Sequence, residues 1–542
     1  MRRVSTDPGS CGQVRHGALG PARRPPIAAL LLSGSLLFAI TSPSSADDPF
    51  FVQVIESRGR TVTAELADFD GDGREDLLQA LTFGMPPDER RAIRVYLQGK
   101  DGIPSTPTLE TPIPPESAAY DLADVDGKPG VEMLFLQPRG IGIMSFVRTP
   151  EGGVEARVSQ AKIPEDLTIG VSSDERGLDR LPIADSGFGA DPWLVAPGLG
   201  ETFFLAPTGE LRARVASGAR ANFFVAPSAL MVSESDIQIF LDAARISVGD
   251  VNGDGRPDIV ASQRHVLHVF HQKPDGTYDH APSDTVKLGR ITMEDHIRGS
   301  GAVRTAARDI DRDGLADLIV SETLGGVMDA GYNTYIHFNR GSGWDMRAPD
   351  YAFEDPEVLG ADQLRDVDGD GDLELMRVGI TISILELAEI FLTEAIDAKL
   401  QVYELERAPK APEEPIRPDS DEAWFEVKFD VPLDFETSRP AGFIPTLEHD
   451  FNGDDFADYI SSTDGTKLEI FVGSREKGYP RRNARQEIST EGQIRPGDVN
   501  DDGLTDLVLF NTRRDNQPVK ILVNLGVLPG TVVEQELRAW PE

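Results

Sequence analysis

Residues Ala67–Leu78 read A-D-F-D-G-D-G-R-E-D-L-L. Asp68, Asp70, Asp72 and Asp76 take positions 1, 3, 5 and 9 of a tight loop, with Gly71 and Gly73 between them. Carboxylates at alternate positions of such a turn converge on one point, and a hard cation of calcium's size takes about six to eight oxygens. A backbone carbonyl at position 7 adds an oxygen, the acid at position 9 closes the shell, and glycine at position 6 supplies left-handed backbone. An apolar run, Leu77–Ala80, follows as a strand.

The loop recurs from Asp124, Asp250, Asp309, Asp366, Asp450 and Asp498, with a degenerate trace at Asp185, at intervals of 48 to 84 residues. About six copies are well formed by their donor set. Besides the first, they nominate Asp250, Asn252, Asp254 and Asp258; Asp309, Asp311, Asp313 and Asp317; and Asp366, Asp368, Asp370 and Glu374. Two more offer Asp450, Asn452, Asp454 and Asp458, and Asp498, Asn500, Asp502 and Asp506. Asparagine at position 3 keeps an oxygen and sheds a charge. Asp455 replaces the glycine of position 6 and tolerates a left-handed backbone. The Asp124 copy has Lys128 at position 5 and Pro129 at position 6, so its ammonium is expected to stand in for the ion, or the site to bind none. The Asp185 trace has lost its spacing and is expected to bind nothing. With no soft ligands, calcium is expected rather than zinc or copper, and ahead of magnesium. EF-hands and dockerins place the last acid at position 12, and nonapeptide repeats run in unbroken tandem; neither describes this chain.

Short runs rich in Val, Ile, Leu and Phe flank each loop, giving three to four strands per unit. That is the arithmetic of a propeller blade. The expected fold is all-β, a β-propeller of eight four-stranded blades with seven as the alternative, forming one domain over 47–542. Phe50–Glu56 and Thr531–Arg538 compete to supply the outer strand of the closing blade. The longest interval suggests an insertion at 380–422. Within it Ile382–Asp397 has helical spacing, with Ile384, Leu387, Ala388, Phe391 and Ala395 on one face, followed by a proline-rich loop, Ala408–Asp421.

The chain has 542 residues and a formal net charge of −38, which repels nucleic acid and attracts cations. Arginines before the apolar run Ile27–Ile40, then small residues to Ala46, predict a signal peptide over 1–46 and a secreted, periplasmic or extracellular product with no integral membrane span. The one cysteine, Cys11, precedes that run, so the remainder has no disulfide to hold it. No G-x-S-x-G, H-E-x-x-H or Walker loop is present, and no catalytic residue is nominated. His265 and His271 share a strand face that His268 does not, which is poor metal geometry.

The pattern D-x-[DN]-G-D-G-x-x-D followed by a β run resembles the FG-GAP repeat of integrin α-subunit propellers and the VCBS-type repeats of bacterial secreted proteins. The chain departs from the family in lacking clear Phe-Gly and Gly-Ala-Pro signatures in each blade. The resemblance implies structural calcium ions on the face opposite the usual ligand face, and a monomeric binding, adhesion or scaffold module for a protein or glycan. A lectin or a calcium-dependent polysaccharide lyase is the alternative.

Overall fold

A computed structural model describes residues 48–532, apart from 85–87, 101, 151–152, 165–177, 190–191, 219, 228–234, 289–290, 292–300, 326–329, 357, 382–394, 409–411, 413, 419–421, 435–438, 441–445 and 463–464. Every described element is a strand, and the sheets follow one another as eight blades of a β-propeller. Blade 1 runs Arg60–Ala67, Asp76–Phe83, Arg90–Tyr96, Leu109–Pro112, each strand antiparallel to the last. Blades 2 to 6 open with Ala119–Ala123, Ala184–Asp185, Arg245–Gly249, Gly301–Arg308 and Val358–Arg365. Blade 7 comprises Tyr459–Ser461, Lys467–Phe471 and Ala484–Glu487, with a single bridge between His449 and Asp458 on its inner side.

Burial explains the sequence pattern. Second strands are covered on both faces by neighbouring blades, so they read as continuous apolar runs rather than alternations. Asp76–Phe83 is buried through its first seven residues, and Glu132–Gln137 and Asp506–Phe510 throughout. The core lies between blades: Phe69 at the top of blade 1 meets Phe146 of blade 2 edge-on at 5.5 Å, in a cluster with Leu78, Phe135 and Met144.

Ring closure uses the first of the two expected segments. Phe50–Ile55 pairs antiparallel with Val519–Asn524, outside Asp506–Phe510 and Gln493–Gly497, and completes blade 8. Thr531 and Val532 form no strand.

Two elements depart from the expectation. A hairpin of Arg220–Pro227 with Ser235–Asp242 stands between blades 3 and 4, where none was read. The helix expected over 382–397 lies outside the described residues as far as 394, and its last three residues open the strand Ala395–Tyr403 instead. Ala398, Leu400 and Val402 are buried at alternate positions, so sheet pairing with Glu374–Thr381 sets the period there. The span 380–422 therefore contains the third strand of blade 6. Residues 1–47, including the expected signal peptide, lie outside the described part, and among the described residues no helix is long and apolar enough to cross a membrane.

Candidate metal centres

Each loop joins the first strand of a blade to the second, and its own carboxylates fold it. Asp68 Oδ1 accepts hydrogen bonds from the amides of Gly71 (2.7 Å) and Asp72 (3.1 Å), and Oδ2 from Gly73 (2.8 Å). Asp250 and Asp450 accept from the same three positions of their loops. The position-5 carboxylates of Asp72, Asp254, Asp313, Asp370, Asp454 and Asp502 each accept the amide two residues on. These bonds require left-handed backbone at position 4 as well as position 6. Asp455 adopts it at position 6 (φ 62°), as its side chain permits, while Arg312 (φ 58°) and Asp501 (φ 57°) adopt it at position 4.

Position 9 anchors the loop to its sheet. Asp76 accepts Phe69 N (3.1 Å) on one oxygen and Gln98 N (2.7 Å) on the other; Asp317, Asp458 and Asp506 repeat the pattern. Burial is the main force on these acids. It pushes Asp76, Asp317 and Glu374 up to about 7 and Asp458 up to about 8, and raises Asp506 well above the carboxylate range.

Position 3 points inward. Asp70 Oδ1, Asp311 Oδ1, Asn452 Oδ1 and Asn500 Oδ1 are buried and receive no hydrogen bond. Such an acceptor carries an unrecovered desolvation cost unless something electropositive meets it. In four loops the acids at positions 1, 3 and 9 offer oxygens within 4.8 Å of one another: Asp68, Asp70, Asp76; Asp124, Asp126, Glu132; Asp309, Asp311, Asp317; Asp366, Asp368, Glu374. The donor set is all oxygen, which fits a hard divalent cation.

The Asp124 loop corrects one expectation. Lys128 does not enter its centre: the ammonium is mostly exposed and pairs with Asp126 at the rim (2.5 Å). Its counterparts are arginines that sequence reading missed. Arg148 Nη2 lies 2.6 Å from Asp70 Oδ2, Arg407 Nε lies 3.1 Å from Asp311 Oδ2, and Arg475 pairs with Asp368, each reaching back from the following blade. Every loop with aspartate at position 3 thus has a basic partner there. Among the described residues, those with Asn252, Asn452 and Asn500 have none. The Asp250 loop differs again: His271 Nδ1 meets Asp258 Oδ2 at 2.9 Å and Nε2 meets Asp284 Oδ2 at 2.8 Å. Burial opposes the charged imidazole, yet the two carboxylates outweigh it and raise its pKa.

Neighbouring loops are joined in a belt. The position-8 amide of one loop donates to a position-1 or position-2 carbonyl of the loop before it: Val131 to Asp68 (2.8 Å), Ala316 to Asp250 (2.7 Å), Leu373 to Ile310 (3.0 Å), Ala457 to Val367 (2.7 Å), Thr505 to Asp450 (2.8 Å). Side-chain amides reinforce it. Asn339 Nδ2 bridges Val251 O and Ala316 O, Asn524 Nδ2 bridges Phe451 O and Thr505 O, and Gln98 Nε2 bridges Glu75 O and Val499 O at the ring closure. The signal for two of them was Asn-x-Gly after the third strand, where the side-chain oxygen accepts from Gly341 or Gly526 (both 3.0 Å). Asn524→Ala leaves two buried carbonyls unpaired at about 1–3 kcal/mol each. Denaturant unfolding should therefore show a loss of about 3 kcal/mol, and a loss below about 1 kcal/mol would remove the amide's bridging role.

Blade 3 has no loop to join the belt. Among the described residues Asp185 Oδ1 accepts the Gly187 amide (2.8 Å), a local turn. A cavity of ≈650 Å³, lined by Asp124, Asp126, Phe188, Trp193 and Arg212, lies at the junction of blades 2 and 3.

Residues 250–320, which span the Asp250 loop, blade 5's first strand and the Asp309 loop, match the FG-GAP-like repeat family. The chain is an eight-bladed β-propeller that carries an FG-GAP-like repeat at 250–320. No curated protein matches it in sequence. Solved structures similar to this propeller include an Agrocybe aegerita lectin described as recognising non-reducing terminal N-acetylglucosamine (13% identity, TM-score 0.34, covering 86% of this chain and 87% of that one). Others are Sqt1 from Chaetomium thermophilum (10%, 0.37, 85% and 100%) and the Vanderwaltozyma polyspora Nup133 β-propeller domain (10%, 0.32, 79% and 96%).

Proposed function

We propose that this FG-GAP propeller is a secreted, calcium-stabilised binding or scaffold module, adhesive in character, whose ions brace the loops and whose ligand surface lies elsewhere. The observation that carries the metal part is the row of buried, donorless position-3 oxygens at Asp70, Asp311, Asn452 and Asn500. Calcium would be held by positions 1, 3, 5 and 9 and supplies charge neutralisation rather than chemistry. Among the described residues no nucleophile–base pair accompanies the loops, and a binding role is the reading we adopt.

The test is a titration of chelator-treated protein with calcium and, separately, magnesium, read by calorimetry and by terbium luminescence. About six calcium ions per chain should bind, with affinities around 10⁻⁴–10⁻³ M and magnesium weaker. Asn500→Leu should remove one ion from the count. Absence of binding at several times that concentration would end the proposal.

A further inference from the structure

The first strands of blades 4, 5 and 6 line a cavity of ≈330 Å³ that none of the metal loops uses. In a chain with 91 acidic and 53 basic residues, its wall is basic. Arg245, Arg304, Arg308 and Arg365 face it, with Asp362 the one carboxylate among its lining residues. Asp362 is already neutralised: it accepts the hydroxyls of Ser321 (2.8 Å) and Thr334 and the Arg377 Nε (3.2 Å). Arg365 is held by Glu448. Arg245, Arg304 and Arg308 are exposed and have no carboxylate partner among the described residues.

A second cavity, of ≈300 Å³ along the first strands of blades 8, 1 and 2, has two of its three lining arginines countered by one buried carboxylate. There Arg180 and Arg495 lie 3.3 and 3.6 Å from the two oxygens of Glu65. The first cavity lacks such an internal counter-ion. It has instead a buried acceptor with no donor, Gln363 Oε1. Guanidinium forks match the planar or tetrahedral faces of carboxylate and phosphate, and an orphaned amide oxygen asks for a hydroxyl or N–H.

We propose that this cavity is a binding site for a small hydroxylated oxyanion, a sugar-sized polyol bearing a carboxylate or a phosphate, gripped by Arg245, Arg304 and Arg308 and oriented by Gln363. The proposal rests on reading the chain as a binding module and names its ligand class. It does not depend on which ions fill the loops. The cavity's size lies at the lower end of small-molecule sites, about 300–1,000 Å³.

Calorimetry on the full-length, calcium-loaded protein at low salt tests it with D-glucuronate, glucose 6-phosphate, glucose, acetate and inorganic phosphate. At least one sugar anion should bind, about tenfold more tightly than acetate or inorganic phosphate, and glucose should give no heat. Glucuronate alone would assign a sugar acid, and glucose 6-phosphate alone a sugar phosphate. Arg304→Gln should weaken binding about tenfold with the melting temperature unchanged, and Gln363→Leu should erase the preference for the hydroxylated anion. Rising salt should weaken binding in the unaltered protein, a readout that needs no variant. Absence of heat with both sugar anions, or equal binding by Arg304→Gln, overturns the site. Because calcium stoichiometry is measured on the same sample, that failure would leave the metal proposal standing.

Discussion

Chelating divalent cations will lower the melting temperature of this propeller by about 8 °C, and by more at pH 8 than at pH 5.5. The size follows from mass action. A site held at ten times its dissociation constant stabilises the fold by about 1.4 kcal/mol, and six such sites by about 8 kcal/mol. A chain of this length unfolds with an entropy near 1 kcal/mol per degree, so each kcal/mol is worth about 1 °C.

The pH dependence follows from the position-9 acids. Their pKa values in the folded, ion-free protein are raised above the ordinary 3.8–4.5, to about 7 for Asp76, Asp317 and Glu374 and about 8 for Asp458. Between those limits the folded state holds more protons than the unfolded one, so the chelated protein loses stability as pH rises from about 4 through about 8. His337 and His449, whose burial lowers their pKa, pull the other way below pH 6.5, but they are two groups against five carboxyls including Asp506. Calcium needs the ionised acids, so its stabilisation grows over the same interval. Scanning calorimetry with and without chelator at the two pH values reads both effects. An unchanged melting temperature on chelation, or a chelated protein that is firmer at pH 8, would count against ions in these loops.

The second large effect is at the closure. A chain that begins at residue 57 will show no cooperative melting transition. It loses six registered pairs to Val519–Asn524 and the fully buried side chains of Phe50 and Ile55. Emptying a buried phenylalanine or isoleucine site alone costs about 2–5 kcal/mol each, and whole domains are stable by only about 5–15 kcal/mol. Phe50 also meets Phe451 of blade 7 edge-on at 5.8 Å, so the loss reaches a second blade. The bared Val519–Asn524 edge then invites pairing between chains. A synthetic peptide spanning Phe50–Glu56 should restore the transition when added to the shortened chain. Equal melting of shortened and full-length protein would show that the strand is dispensable.

Much of this was legible beforehand because it is local. The Asp68–Asp76 spacing announces its loop, and the run after it announces a doubly covered strand. Phe50–Glu56 alternates and lies before the first loop, which made it, with Thr531–Arg538, one of two candidates for the closing blade. What stayed hidden is held across blades. Arg148 closes the strand Gly140–Arg148, and Arg407 and Arg475 lie four residues past Ala395–Tyr403 and Lys467–Phe471, yet each acts on the loop of the blade before. Gln98 bridges to Val499 at the other end of the chain, and no periodicity in sequence marks such a partner. The hairpin of Arg220–Pro227 and Ser235–Asp242 carries no acidic loop of this pattern, so the repeat spacing gives no sign of it. At 395–397 a helical spacing and a strand alternation overlapped, and pairing with an existing strand decided between them.

The belt of loop-to-loop bonds has a further consequence. It runs without interruption from blade 4 through blade 8 and across the closure to blade 2, then stops: among the described residues blade 3 offers no position-8 amide to blade 2, and position 8 of the blade 4 loop is Pro257, which has no N–H to give blade 3. A hoop with one missing link yields at that link. The seam of this ring is at blade 8, where Phe50–Ile55 pairs with Val519–Asn524, but its mechanical joint is at blade 3. Strain from thermal breathing, or from a partner pulling on the rim, is expected to be relieved there first, with blades 4 to 8, 1 and 2 moving as one stiff arc.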